Sequence, residues 1–94
     1  MMTLMIKDPG SRIDYAFDWN AAYLDGQFLA NSSWTIDPNH GGGIAVDAHT
    51  FDVVRTSATL SGGIEGTIYR VTNRVTLSDG QVDERSLVLR VEQR

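Results

Sequence analysis

Residues 66–94, GTIYRVTNRVTLSDGQVDERSLVLRVEQR, alternate apolar and polar side chains, break once at Asp79-Gly80, and then alternate again. A period of two over this length is the mark of half-buried strands, and Asp-Gly between two such runs signals a β-hairpin. Side-chain parity then fixes the loop, because a one-residue slip moves a whole strand's apolar set to the other face. A two-residue loop would set Val71 opposite Val88 and Tyr69 opposite Arg90, leaving Leu87, Leu89 and Val91 outside. A three-residue loop, Ser78-Asp79-Gly80 with Gly80 left-handed, instead pairs Val71 with Leu87 and Tyr69 with Leu89 inside. The sequence therefore predicts the three-residue loop. Arg74 then stands opposite Glu84 on the outer face, while Asn73 and Arg85 face inward and need hydrogen bonds or partial solvent access.

The rest of the chain reads the same way. Ile13, Tyr15, Phe17 and Trp19 recur at period two and predict a strand with an aromatic core face. A turn signal at Asp25-Gly26 precedes a second strand, from about Gln27 to Ile36, with Phe28, Ala30, Ser32, Trp34 and Ile36 on one face. DPNHGGG, residues 37–43, predicts an exposed irregular loop. Parity slips among Ile44, Val46, Phe51, Val54 and Leu60 predict two or three short strands with bends. No helical periodicity persists, and strands at this spacing with Gly-rich breaks predict an all-β sandwich or barrel. A length of 94 residues allows one domain, 1–94, with one modest core.

Composition narrows the function. The chain has no cysteine, which excludes a disulfide scaffold or thiolate metal site and predicts an intracellular or particle-borne protein. A net charge of -4 and a pI near 4.8 disfavour binding through nucleic-acid phosphates. The opening residues MMTLMIKDPGSR carry neither a signal-peptide pattern nor a membrane-length apolar run, so no membrane partner is expected.

The polar and small residues suit plain structural roles. Asp14 and Asp18 share a strand face near Asp8 and Asp25, but no calcium loop is present and a solvated face accounts for them. His40 and His49 lack a third ligand at recognisable spacing. Ser57 and Ser61 lack a nucleophile elbow, and Gly41 to Gly43 are followed by no phosphate-binding Lys-Ser/Thr pair. No catalytic residue, metal or cofactor is expected. Trp19 and Trp34 suit the platform of a sugar-binding module, yet parity places both with the apolar face and favours core packing.

Two resemblances add to this reading. EGTIYRV resembles the G-x-Y-x-C stretch of immunoglobulin-type domains, with Val71 in the cysteine's place, and this gives Tyr69 a structural role pinning a corner between strands. KDPGSRIDYAFDW, ANSSWTI, LSGGIEGTIYRVTNRVTLSDG and DERSLVLRV together resemble a family of small structural proteins of tailed bacteriophages and prophages, often labelled fiber-tail adaptors. The matching motifs carry Asp14, Tyr15, Asp18 and Trp19; Gly66, Thr67, Tyr69, Val71, Thr72, Asn73 and Arg74; and Glu84, Arg85 and Ser86. The resemblance implies an immunoglobulin-like β-sandwich of about seven short antiparallel strands, without enzymatic chemistry, located in the virion and in the host cytoplasm during assembly.

It also implies other phage structural proteins as partners. Asp14, Asp18, Asn73, Arg74, Glu84 and Arg85 form either a polar brace between DYAFDW and the hairpin or an interface. Either the last strand, Leu87 to Val91, or the segment Met1 to Ile6 is expected to offer a free edge for strand addition, and a homo-oligomer fits the symmetry of tails. The alternative from another class is a carbohydrate- or cell-surface-binding accessory module.

Overall fold

A computed structural model describes residues 3–93, so Met1, Met2 and Arg94 lie outside the described residues. The elements run β1 (Thr3–Lys7), β2 (Arg12–Asp18), α1 (Ala21–Leu24), β3 (Leu29–Asp37), β4 (Ile44–Phe51), β5 (Arg55–Gly62), β6 (Ile68–Leu77) and β7 (Val82–Val91). They form a four-stranded sheet, β1-β7-β6-β3, and a three-stranded sheet, β2-β5-β4. Equating β2 to β7 with strands B to G of an immunoglobulin domain gives sheets B-E-D and C-F-G, the sandwich of that fold.

The hairpin has the register that parity requires. Val71 pairs with Leu87, Tyr69 with Leu89 and Arg74 with Glu84. The Leu77 N–H donates to the Gln81 carbonyl at 2.7 Å, so Ser78, Asp79 and Gly80 form the loop, and Gly80 has φ 93°. Each inward residue of β6, from Tyr69 through Val71, Asn73 and Val75 to Leu77, is buried.

Three expectations are corrected. The pairs are not all antiparallel, since β1 runs parallel to β7. For the same reason Leu87 to Val91 is no free edge: β1 covers it, and among the described residues the free edges are β1, β3, β2 and β4. Parity also fails in β3, where a bulge between Leu29 and Asn31 turns Leu29 inward and leaves Phe28 and Ala30 exposed, not on the inner face as expected. Beyond the bulge, Ser32, Trp34 and Ile36 return to the inner face. A second irregularity, between Val46 and Ala48, bends β4 and exposes Ala48.

The core has two parts. Tyr15, Leu60, Tyr69, Val71, Leu89 and their neighbours fill the space between the sheets. Trp19, Leu24, Leu29, Val75 and Leu77 close the end that carries α1. That single helical turn is capped by the Asn20 side chain, which accepts from Ala22 N–H, and it delivers buried Leu24 beneath the sheets. No helix among the described residues is long and apolar enough to cross a membrane.

Candidate functional site

The motif residues divide into an interior group and a surface group. Asn73, fully buried on β6, is the centre of the interior group. Its carboxamide oxygen accepts from Trp19 Nε1 at 3.1 Å and from Thr56 Oγ1 at 2.6 Å. Its Nδ2 donates to Ser32 Oγ at 2.9 Å and to the Ser33 carbonyl at 3.0 Å. The amide thus uses both acceptor sites and both donors, joining β6 to β3 within one sheet, to β5 of the other and to Trp19 just past the end of β2.

Arg85 lies directly across the hairpin from Asn73. Its guanidinium carbon stands 4.4 Å from the Trp19 ring centroid and 5.5 Å from that of Tyr23, and Nη1 donates to the Asp18 carbonyl at 2.9 Å. Arg85 therefore covers the buried indole and keeps its charge toward solvent. The Tyr23 hydroxyl donates to Asp83, and that bond holds the phenol's pKa above its usual value. Asp18 caps the turn below by accepting from Asn20 N–H at 2.9 Å.

Asp14, Arg74 and Glu84 belong to the surface. Asp14 accepts from Thr59 on the outer face of the smaller sheet, while Arg74 and Glu84 form an exposed pair at 3.4 Å on the larger one. Tyr69 is buried, and its hydroxyl accepts from Ile64 N–H at 3.0 Å across the turn leading into β6. This is the geometry of the tyrosine corner of immunoglobulin domains. Trp19 is fully buried and offers no platform for a sugar ring, while Trp34 is half-buried and stacks on Phe17 with centroids 5.7 Å apart. Asp79 accepts from Gln81 N–H at 3.0 Å and shapes the hairpin loop.

Two further features had no sequence signal strong enough to find them. Lys7 is fully buried, and its ammonium donates to the carbonyls of Asp8 at 3.0 Å, Ser11 at 2.7 Å and Gly62 at 2.7 Å. Burial lowers its pKa, while the three carbonyls use every ammonium donor. The second feature is a loop cluster at the α1 end. There the Trp19 N–H donates to the Val54 carbonyl at 2.8 Å, the Leu29 N–H to Val53 at 3.0 Å, and the Ser78 N–H to Phe28 at 2.8 Å. These bonds tie the segment between β2 and β3, the β4–β5 turn and the hairpin loop into one tip carrying exposed Tyr23, Phe28 and Val53.

A cleft of about 460 Å³ between β3 and β4 is lined by Trp34, Ile36, His40, Ile44 and Val46 among others, and His40 packs 5.8 Å from the Tyr69 ring. His49 lies exposed on β4, away from it. Among the described residues, no group of three or more His, Asp or Glu side chains is placed to hold a metal ion.

The sequence from residue 7 to residue 90 matches the model of the family described as podophage GP4 fiber-tail adaptor protein gp77. The chain belongs to this family. That match spans β2 to β6 and β7 up to Arg90, including the Asn73 network and the tyrosine corner. No curated protein matches the sequence.

Proposed function

We propose that this chain is a non-enzymatic structural protein of the phage particle, acting through protein contacts that join a fibre to the tail. Family membership supplies the class of role, and the loop tip is the observation that carries the mechanism. Tyr23, Phe28 and Val53 are 53%, 51% and 60% exposed there, on segments bonded to one another rather than loose. Aromatic side chains held rigid before contact lose little entropy on binding, which is what an anchor for a partner protein requires. Asp25, Asp52 and Asp79 rim the same end and favour a basic neighbour. On this reading Asn73 and Arg85 are a brace that keeps the tip in shape, and the chain resides in the virion after assembly in the host cytoplasm.

The test is quantitative mass spectrometry of washed particles from a producing lysate, with copy number referred to the major capsid protein. Presence at a whole-number multiple set by the tail's rotational symmetry is the expected result. A protein left soluble in the lysate and missing from washed particles overturns the reading. A Phe28→Asp, Val53→Asp double variant that folds normally is expected to be lost from particles, and its full incorporation would remove the tip from the mechanism.

A further inference from the structure

Edge strands of soluble proteins are guarded by charge, proline or bulges, because their unpaired main-chain groups add strands from other chains. Three of the four edges here follow that rule. β2 presents Arg12, Asp14 and Asp18, β3 is bulged and ends at Asp37-Pro38, and β4 is bulged at Val46/Ala48 and carries Asp47. β1 does not. Its register with β7 is regular from Thr3 to Lys7, and its one charge, Lys7, is buried and bonded within its own chain.

The free groups of β1 can be assigned. The Lys7 carbonyl accepts from Glu92 N–H at 3.0 Å and so faces β7. Alternation along a strand then turns the main-chain N–H and C=O of Leu4 and Ile6 toward the open edge. Their side chains, 64% and 49% exposed, lie on the outer sheet face, because they pair with Val88 and Arg90 rather than with inward Leu87, Leu89 and Val91. Ile68, 57% exposed, completes an apolar patch across Arg90.

We propose that β1 is the seat of a two-fold interface with a second copy of this chain. The local charge distribution fits that occupant. A chain of net charge -4 repels its own copies, and a self-paired surface must be locally neutral. This one is: Leu4, Ile6, Val88 and Ile68 are uncharged, Arg90 pairs with Glu92 at 2.9 Å, and Arg70 lies opposite Asp37. An antiparallel pairing centred on Met5 sets Leu4 against Ile6 of the partner subunit and Ile6 against Leu4 of the partner subunit. Each of these two pairs exchanges both of its main-chain bonds. The two larger sheets then join into one continuous sheet, with apolar side chains side by side on its outer face. So few residues make a transient contact, below the roughly 1,200 Å² of weak complexes, that strengthens when neighbouring copies are held in a particle.

This interface rests on the adaptor reading only for its setting, and its test is independent of particle composition. Sedimentation equilibrium of the full chain, from about 10 μM to about 1 mM, is expected to show the 10.4 kDa monomer passing to twice that mass. Ile6→Lys, at an exposed outer position, is expected to leave the circular dichroism and urea unfolding curve unchanged and to weaken dimerisation at least about tenfold. Because the chain has no cysteine, Met5→Cys is expected to form a disulfide-linked dimer under mild oxidation. Ile68→Cys, two strands in from β1, is expected not to do so. A monomer at every concentration, a dimer indifferent to Ile6→Lys, or equal cross-linking at both positions would overturn the proposal. A monomer that is nonetheless present in particles would overturn the self-pairing and leave the adaptor reading standing.

Discussion

The indole N–H of Trp19 donates to the carboxamide oxygen of Asn73 at 3.1 Å, joining residues 54 apart in sequence across the interior of the sandwich. Asn73 is fully buried and makes four hydrogen bonds, so its truncation orphans groups that water cannot reach. Each orphan costs about 1–3 kcal/mol. Asn73→Ala is therefore expected to cost about 3 kcal/mol and to lower Tm by more than about 10 °C. Its chain neighbour Arg74 points outward in an exposed ion pair, and Arg74→Ala is expected to change stability by less than about 1 kcal/mol. Urea titrations of both variants measure the contrast. Equal losses would show that Asn73 is not a brace.

The inward placement of Asn73 and Arg85 was legible because parity, the apolar face of β7 and the Asp79-Gly80 turn all demanded one register. What Asn73 bonds to was not legible, since Ser32, Thr56 and Trp19 come from three distant segments. α1 escaped for a different reason: Ala21–Leu24 is a single turn, too short to show periodicity. The Leu29/Asn31 bulge misled the reading of β3, because Phe28 and Ala30 continue the alternation in sequence while the backbone breaks it. The parallel partner of β1 has no local signature, as pairing direction is set by where the chain crosses and not by side-chain pattern.

Two glycines separate backbone strain from crowding. Gly80 has φ +93° with nothing within 4 Å of an added Cβ, so Gly80→Ala is expected to cost only the left-handed conformation, about 1–2 kcal/mol. Gly63 has φ +111°, and its Cβ would meet Val91 Cγ2 at 2.7 Å and Ile44 Cγ1 at 3.2 Å. Gly63→Ala adds about 1–3 kcal/mol of overpacking to the same strain. The midpoint of urea unfolding should fall further for Gly63→Ala than for Gly80→Ala, and the reverse order would contradict the packing at the β5–β6 corner.

Acid should lower the protein's stability in part through two hydrogen-bonded carboxylates. Asp52 accepts from the N–H groups of Val54 and Arg55, which hold its pKa below the ordinary 3.8, and Ser61 and Arg12 do the same for Asp47. The folded state then binds fewer protons than the unfolded state between the two values. Their stabilisation is present above pH 3.8 and is lost as pH falls through the lowered folded values. Asp52→Asn and Asp47→Asn should each flatten the decline of stability below about pH 4, measured as the urea midpoint against pH. A slope identical to that of the parent chain would remove these carboxylates as its cause.

The two tryptophans should respond unequally to the same change. Trp19 Nε1 has two acceptors, Asn73 Oδ1 and Thr56 Oγ1, and the indole is covered by Arg85. Trp19→Phe leaves the buried Asn73 oxygen short of a donor, shrinks a fully packed side chain and weakens the guanidinium contact, for an expected loss of about 2–4 kcal/mol. Trp34 Nε1 is buried without a hydrogen-bond partner among the described residues, so its desolvation is already a cost that the folded state carries. Trp34→Phe removes that unpaired donor while a six-membered ring can still stack on Phe17. The expected outcome is a change of less than about 1 kcal/mol in either direction, because relief of the orphaned N–H offsets the smaller ring. Thermal unfolding of both variants followed by circular dichroism decides it, and a Trp34→Phe loss as large as that of Trp19→Phe would mean that the indole N–H of Trp34 is satisfied in solution.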